Sequence, residues 1–452
     1  MPVYILSNYP GSTTRIPFNT RRIRGVFNYG QSNSVWGGLG GGHPSVCITS
    51  VVDQYRAFMV NTGYMGTQAT ETNQAEIVDF IPGMEKWAKK GEKGTVGGSS
   101  FLRKVLRDQD SIGLPEDVWV VRCTGESGQR ISRLGEGWVP MTNTIATVSS
   151  MKEISETQYG MGFDVPFIRF AQGEADAAEE TPKETYKTSL KTLVSYTNRA
   201  IKQKTRQQRE TYFGLDILVA PDGTNRNITD ITIAQVEILD DASIPVVPNC
   251  SPYWFSASVG FISGQTVHWS ANGKDHLVEF AARAMRICNE APFGARLGDT
   301  INRYVYNPNL TTSPWELKEV PFETSPRANL TSFQRSANKI TFTVPYAEGG
   351  LSKYEGYRGA ATNDGFKWSG PEVYQGVSIS GGETNVGVEV FFTSDVSTAG
   401  GLLTYAVEPQ ENTQDSAPDC FGSLFDNCQE PSYAKPGRTL RQGLLPFSVS
   451  VV

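Results

Sequence analysis

Three stretches of the chain carry residue types that can do nucleophilic chemistry. They are Gly30-Gln31-Ser32-Asn33, Ala171-Gln172-Gly173-Glu174-Ala175-Asp176 and Val267-His268-Trp269-Ser270-Ala271-Asn272-Gly273. A serine hydroxyl becomes a nucleophile when a neighbouring base takes its proton. Histidine suits that task because its charge changes near neutrality. A carboxylate or amide at a strand end can orient such a base or meet an anion. Each stretch also has a plain structural reading. Ser32 could cap a helix, Glu174 or Asp176 could cap the next one, and His268 could be a satisfied loop histidine. His276 falls inside a helical pattern and fits the structural reading better. His43 lies in a glycine run with no partner that the pattern names.

These stretches need a scaffold, and the apolar runs supply one. RGVFNYG (24–30), DVWVVRC (117–123), DVPFIRFAQG (164–173), YFGLDILVA (212–220) and IPVVP (244–248) are nearly continuous, as in strands covered on both faces. Amphipathic helical patterns lie between them. Tyr186, Leu190, Leu193, Val194, Thr197 and Ile201 share one face; Leu277, Phe280, Ala281, Ala284, Met285 and Cys288 share another. The alternation predicts an α/β domain with a mainly parallel sheet over residues 1–295. Ligands of such sheets bind beyond the carboxyl ends of the strands, where the Ser32 and Glu174 turns fall. Residues 53–116, polar and Gly-rich with a helical pattern near 76–89, read as an insertion that shapes the site. After residue 295 the pattern alternates, with Ile340, Phe342 and Val344, then Val386, Val388 and Val390, on one side. That predicts a connection over 296–325 and an antiparallel β-sandwich over 326–452.

Composition narrows the function classes. The 452 residues carry a net charge of −6, and the densest basic stretch, RAIKQKTRQQRE (199–210), continues a helical pattern. It reads as a solvated helix end, so no nucleic-acid partner is expected. Six scattered cysteines without C-x-x-C, and three histidines, argue against structural zinc. Cys420 and Cys428 share one loop and could pair. MPVYILSNYPGSTTR lacks the marks of a signal peptide, and no apolar run reaches membrane-spanning length. The expectation is a soluble protein made without classical export and without membrane insertion.

Taken together, GQSN, the glycine turn in VVRCTGESGQRIS (120–132), QGE-x-D and H-x-S-x-x-G resemble the SGNH-hydrolase superfamily. They resemble its sialate O-acetylesterase-like carbohydrate esterases most closely. The resemblance implies a flavodoxin-like three-layer domain with a five-stranded, mainly parallel sheet. It implies Ser32 as nucleophile, His268 as general base, and an oxyanion hole from the Ser32 and Gly128 N–H groups with help from the Gln172 amide. Gly125 is the alternative to Gly128. Many members carry an aspartate three residues before the histidine, where this chain has Gln265. Glutamine cannot steady an imidazolium as a carboxylate does. Glu174 is therefore assigned as the acid, with a Ser–His dyad aided by a backbone carbonyl as the alternative. Asn33, Trp36 and Trp269 are candidates for substrate contact. No metal or cofactor is implied.

The tail, from LLTYAVEPQ to LLPFSVSV, loosely resembles the C-terminal β-domain of phage-associated SGNH proteins, including tailspike-type deacetylases. That implies an esterase of acetylated bacterial surface polysaccharide, located on a phage tail or released by lysis. Homo-oligomerisation, with a trimer as one option, and attachment to other tail proteins follow from the same resemblance. Two other readings stand beside it: a cellular acetylxylan or sialate O-acetylesterase, and an inactive structural or receptor-binding virion protein on the same scaffold.

Overall fold

A computed structural model describes the protein over residues 4–6, 8, 15–31, 56–60, 80–82, 96–126, 128–218, 228–251, 271–354, 361–396, 400–407, 422–434 and 436–451. The chain opens with a short antiparallel pair, β1 (Tyr4–Leu6) and β2 (Arg15–Pro17). The main sheet follows, from β3 (Ile23–Gly30), β4 (Ala57–Val60), β5 (Phe80–Pro82), β6 (Val118–Cys123), β7 (Phe163–Ala171), β8 (Tyr212–Asp216) and β9 (Val246–Cys250). Its order is β5-β4-β6-β3-β7-β8-β9. The strands from β4 to β9 are parallel and β5 is an antiparallel edge. Among the described residues, the expected five-stranded sheet has six parallel strands and one antiparallel strand.

The α-helices among the described residues are α1 (Val96–Ile112), α2 (Val139–Tyr159), α3 (Glu174–Ala178), α4 (Lys183–Thr205), α5 (Ile228–Glu237) and α6 (Ala271–Glu290). Helices α2, α4 and α5 cover one face, where Met141, Val148, Leu190 and Ile231 meet Phe27 and Phe213. Helices α1 and α6 cover the other, where Phe101, Leu102, Ala281 and Met285 meet Val26 and Phe167. The two apolar faces read from the sequence are buried, and they fix α4 and α6 on the sheet. No helix among the described residues is long and apolar enough to cross a membrane.

The described parts of residues 53–116, read from the sequence as an insertion, supply β4, β5 and α1 to the sheet and its covering layer. Of the helical pattern near 76–89 only Phe80–Pro82 lies among the described residues, and it is a strand; a helix lies at Val96–Ile112. Helix α1 hides its periodicity because Lys104 and Asp108, both buried, interrupt its apolar face.

Beyond α6 the chain is antiparallel. Strands β10 (Thr300–Tyr306) and β11 (Trp315–Pro321) form a hairpin inside the expected connection. Then come β12 (Gln334–Ser336), β13 (Lys339–Tyr346), β14 (Leu351–Lys353), β15 (Phe366–Trp368), β16 (Tyr374–Ser380), β17 (Thr384–Phe392), β18 (Gly401–Tyr405), β19 (Leu424–Asp426) and β20 (Phe447–Val451). They form sheets ordered β12-β13-β17-β16, β15-β18-β20 and β14-β19. The alternation in β13 and β17 sets the register: Ile340 faces Val390, Phe342 faces Val388 and Val344 faces Val386. All six are buried in one core with Phe366, Tyr405 and Phe447. The expectation was a sandwich; the strands divide among three sheets around a single core, which extends to Cys250, Leu277 and Phe280 of the α/β region.

A buried ionic cluster joins the two regions beside that core. Lys104 donates to Asp108 at 2.5 and 2.6 Å and to Glu430. Arg286 donates to Glu430 at 2.8 Å. Arg283 and Arg303 donate to Glu348 at 2.8 and 3.0 Å.

Candidate active site

Strand β3 is central, and its last residues set the geometry of the carboxyl edge. Gly30 has φ +128°, and a Cβ there would lie 2.1 Å from the Ala171 carbonyl oxygen, so only glycine fits between β3 and β7. The Gln31 N–H donates to that carbonyl at 3.0 Å, and the Glu126 N–H donates to the Gly30 carbonyl at 2.9 Å. The ends of β3, β6 and β7 are therefore stitched together one residue ahead of Ser32.

The Gln31 side chain makes a second tie. It is 2 % exposed. Its Nε2 donates to Glu174 Oε2, and its Oε1 accepts from the Ala175 N–H at 3.2 Å. Both groups belong to the first turn of α3, which begins at Glu174 because Gly173, at φ +145°, turns the chain out of the sheet. A Cβ at Gly173 would come within 2.8 Å of Leu218 and 3.0 Å of Ile231, so the close packing of this turn also requires glycine. Glu174 is thereby held at the strand end that carries Gln31.

Behind it lies a network of amides around one carboxylate. Asp176 is 1 % exposed. It accepts from the Ile131 N–H at 2.8 Å, from Thr181 Oγ1 at 2.9 Å and from Gln172 Nε2. Gln172 Nε2 also donates to the Gln129 carbonyl at 3.4 Å, while its Oε1 accepts from Tyr186 Oη at 2.9 Å. The Gln172 amide, expected to help at the oxyanion hole, faces Asp176 and the Gln129 carbonyl here. Gln235 completes the support, donating to the Gln172 carbonyl at 2.7 Å. The turn after β6 is fixed through Asp176 and Ile131. Within that turn Gly125 is buried, while Gly128 is exposed in the left-handed region at φ +72°.

Ser32, Asn33, Trp36, His43, Gln265, His268 and Trp269 lie outside the described residues. Of the expected site residues, the structure brings Glu174 and Gln172 together at the end of β7 and ties Glu174 to the residue preceding Ser32. The positioning roles of Gln31 and Asp176 are absent from the sequence reading. Their signal was present in GQSN and QGE-x-D, but a tetrapeptide does not say which side chain braces which. Also unread was a buried polar ladder across β3, β7, β8 and β9. Arg169 donates to Asn28 at 3.1 Å and to Asp216, and Asn249 donates to Asp216 at 2.9 Å.

Metal-binding potential among the described residues is confined to Glu348, Cys428 and Glu430, which lie close enough to share an ion. They sit in the ionic cluster, where Lys104, Arg283, Arg286 and Arg303 already meet the two carboxylates. Those side chains supply the positive charge a metal would bring, so the group does not fit one. Cys428 is a buried free thiol, and Cys420 lies outside the described residues.

No family model matches the chain, and no curated protein matches it. Solved structures do. A carbohydrate acetylesterase from Xanthomonas citri aligns at a TM-score of 0.50 and 14 % identity, over 95 % of this chain and 81 % of that one. A protein from Arabidopsis thaliana aligns at 0.41 and 14 % identity, over 58 % of this chain and 98 % of that one. A protein assigned to the lipolytic G-D-S-L family, from Desulfitobacterium hafniense, aligns at 0.26 and 16 % identity, over 41 % and 87 %. The first likeness concerns the fold alone: the chain shares the Xanthomonas protein's architecture, and its α/β and antiparallel regions both fall within the alignment.

Proposed function

We infer that the protein is a carbohydrate O-acetylesterase that works through a serine acyl-enzyme. One observation carries the reading. The Gln31 side chain clamps Glu174 beside the strand end that leads into Ser32, so two of the motif blocks meet at the carboxyl edge of the sheet. The Xanthomonas protein of the same fold is a carbohydrate acetylesterase, which favours that substrate class.

In this reading His268 takes the Ser32 proton as the hydroxyl attacks an acetyl carbonyl. Glu174 orients the imidazole and balances its charge. The oxyanion is met by the backbone N–H groups of Ser32 and Gly128. His268 returns the proton to the departing sugar oxygen, and water then releases acetate. Trp36, Trp269 and Asn33 contact the sugar. The substrate is an acetylated polysaccharide of a bacterial surface, and the protein belongs to a phage tail as a homo-oligomer; this finer reading rests on the loose likeness of the tail segment.

A second reading has one specific support. Gln265 stands where many SGNH enzymes place their aspartate, as it could in a binding protein that kept the scaffold and lost the reaction. Acetate release from a panel of acetylated xylans, O-antigens and capsules separates the two. The esterase reading expects release that falls about 10⁴-fold in Ser32→Ala without loss of thermal stability. Equal acetate from parent and variant, at background level, establishes the second reading instead.

A further inference from the structure

Helix α6 carries a second stripe besides the apolar one on the sheet. His276, Glu279, Arg283 and Arg286 recur at three- and four-residue steps, so they share one face, and all four are buried. That face meets the antiparallel region. Arg283 and Arg286 reach Glu348 and Glu430 in the ionic cluster. The first half of the helix is held differently. Glu279 is fully buried and accepts three hydrogen bonds from one short segment. The Tyr433 and Ala434 N–H groups donate at 2.8 Å each, and Ser432 Oγ donates to its other oxygen. Ser432 Oγ also lies 3.2 Å from His276 Nδ1, one turn nearer the start of the helix. The segment itself is braced: the Ser432 N–H donates to the Arg438 carbonyl at 2.9 Å, and Pro431 bridges to Thr439.

The two stripes constrain the helix in different ways. Apolar burial is non-directional, so the packing of Ala281 and Met285 holds α6 on the sheet but leaves small shifts along its own axis cheap. Hydrogen bonds to a carboxylate are directional and narrow in distance. Three of them on Glu279, all from one braced segment, fix both the axial position and the rotation of the helix. Burying a carboxylate there costs more than burying an apolar side chain would, so Glu279 contributes placement more than net stability. The chain shows what that placement serves. Ala271 opens α6 three residues after His268, and Glu279 lies about 12 Å along the helix from Ala271. A base that takes a proton needs such accuracy, since a misplacement of about 1 Å can cost about 100-fold in rate.

We propose that Glu279 and Ser432 are positioning residues for His268: the antiparallel region, through residues 432–434, sets where the helix that follows the base begins. The proposal rests on the esterase reading for the role of His268, and on the geometry alone for the hold on α6. It makes the antiparallel region part of the reaction apparatus rather than an appended module. Glu430 is the natural contrast, because it pairs with the later turns of the same helix at Arg283 and Arg286.

The test compares Glu279→Ala, Glu279→Gln and Glu430→Ala in the full-length protein. Three quantities are measured: kcat and KM for 4-nitrophenyl acetate per folded molecule, melting temperature, and hydrogen exchange of the amides at 271–278. Gln keeps the Oε1 acceptor for the Tyr433 and Ala434 N–H groups. Expected for Glu279→Ala is a fall of at least about tenfold in kcat, with KM within about twofold and faster exchange in the first two turns of α6. Glu279→Gln restores kcat to within about threefold of the parent. Glu430→Ala lowers stability more and leaves kcat per folded molecule unchanged. Ser432→Ala removes a single hydroxyl and takes the place of Glu279→Ala should that variant not fold, with the same direction of change. Parent-like kcat in the folded Glu279→Ala or Ser432→Ala protein, or an equal fall in Glu430→Ala, overturns the proposal. If the parent itself releases no acetate, the esterase reading fails and exchange alone decides. Faster exchange at 271–278 in Glu279→Ala then keeps the hold on α6, and exchange equal to the parent's removes it.

Discussion

The carboxyl edge of the sheet and the seam between the two regions both bury polar groups, in opposite ways. At the edge, Gln31, Gln172 and Gln235 are neutral amides arranged around two carboxylates, Glu174 and Asp176. At the seam, Lys104, Arg283, Arg286 and Arg303 face Asp108, Glu348 and Glu430. Two carboxylates at the seam are shifted in opposite directions. Burial pushes Asp426 up to about 7, despite the nearby Arg283. Burial also acts on Glu430, but Lys104, Arg286 and Arg283 outweigh it and hold the carboxyl well below its usual range. Perturbed carboxylates often mark active sites. Here they mark a structural weld. The lesson is that access and strand-end position, rather than the size of a shift, separate the two.

The contrast can be broken most forcefully at the seam. Glu430→Ala removes a carboxylate that Lys104, Arg283 and Arg286 share and leaves Asp108 and Glu348 facing an excess of buried cations, a loss of about 3–5 kcal/mol. Chemical denaturation should register it, with esterase turnover per folded molecule unchanged. A variant as stable as the parent would mean the cluster is not a weld.

The next effect depends on pH. Asp426 is neutral-favouring in the fold, since its pKa of about 7 lies above the ordinary aspartate value of 3.8. Its contribution is therefore full below pH 4 and is lost as pH rises through 7. At about 1.4 kcal/mol per pKa unit, the change across that window is at most about 4 kcal/mol. Asp426→Asn keeps the Oδ1 acceptor for the Gln442 and Cys428 N–H groups, at 2.8 and 3.3 Å, and cannot ionise. The variant should lose that downward slope between pH 4 and 7 and exceed the parent in stability at pH 8. An identical pH profile for both proteins would count against the assignment.

At the strand edge the effects are smaller in free energy and fall on rate. Glu174→Gln is expected to lower kcat about 100-fold, near 2.7 kcal/mol, while Gln265→Ala leaves it within twofold. The reverse order would transfer the orienting role to the histidine's own loop. Gln31→Leu removes the clamp without touching substrate. A loss of about tenfold in kcat, with KM and melting temperature little changed, is the expected mark of a positioning residue. A fall in stability with kcat intact would make Gln31 a packing residue only.

How far the sequence could be read follows from where its patterns are pure. Strands β3, β6, β7, β8 and β9 announce themselves because both faces are covered and nearly every residue is apolar. Helix α2 was silent, since its buried face includes Asn143, Thr144 and Thr147. Thr144 and Thr147 hide their hydroxyls by donating to Pro140 and Asn143 carbonyls at 2.8 Å each. Helix α1 was silent for a related reason: Lys104 and Asp108 look solvated until Glu430, more than three hundred positions away, arrives to pair with them.

The same division holds for the site. Local order along the chain determined the α/β alternation, the change to antiparallel strands and the glycine-rich turns at Gly30 and Gly173, because these depend on period and on near neighbours. Tertiary structure decided that β4 and β5 extend the sheet, that Gln31 grips Glu174 and that the Ile131 N–H meets Asp176. Those outcomes depend on which strand ends become neighbours and which buried donors find acceptors. Contacts between residues more than a hundred positions apart leave no periodic trace in either segment.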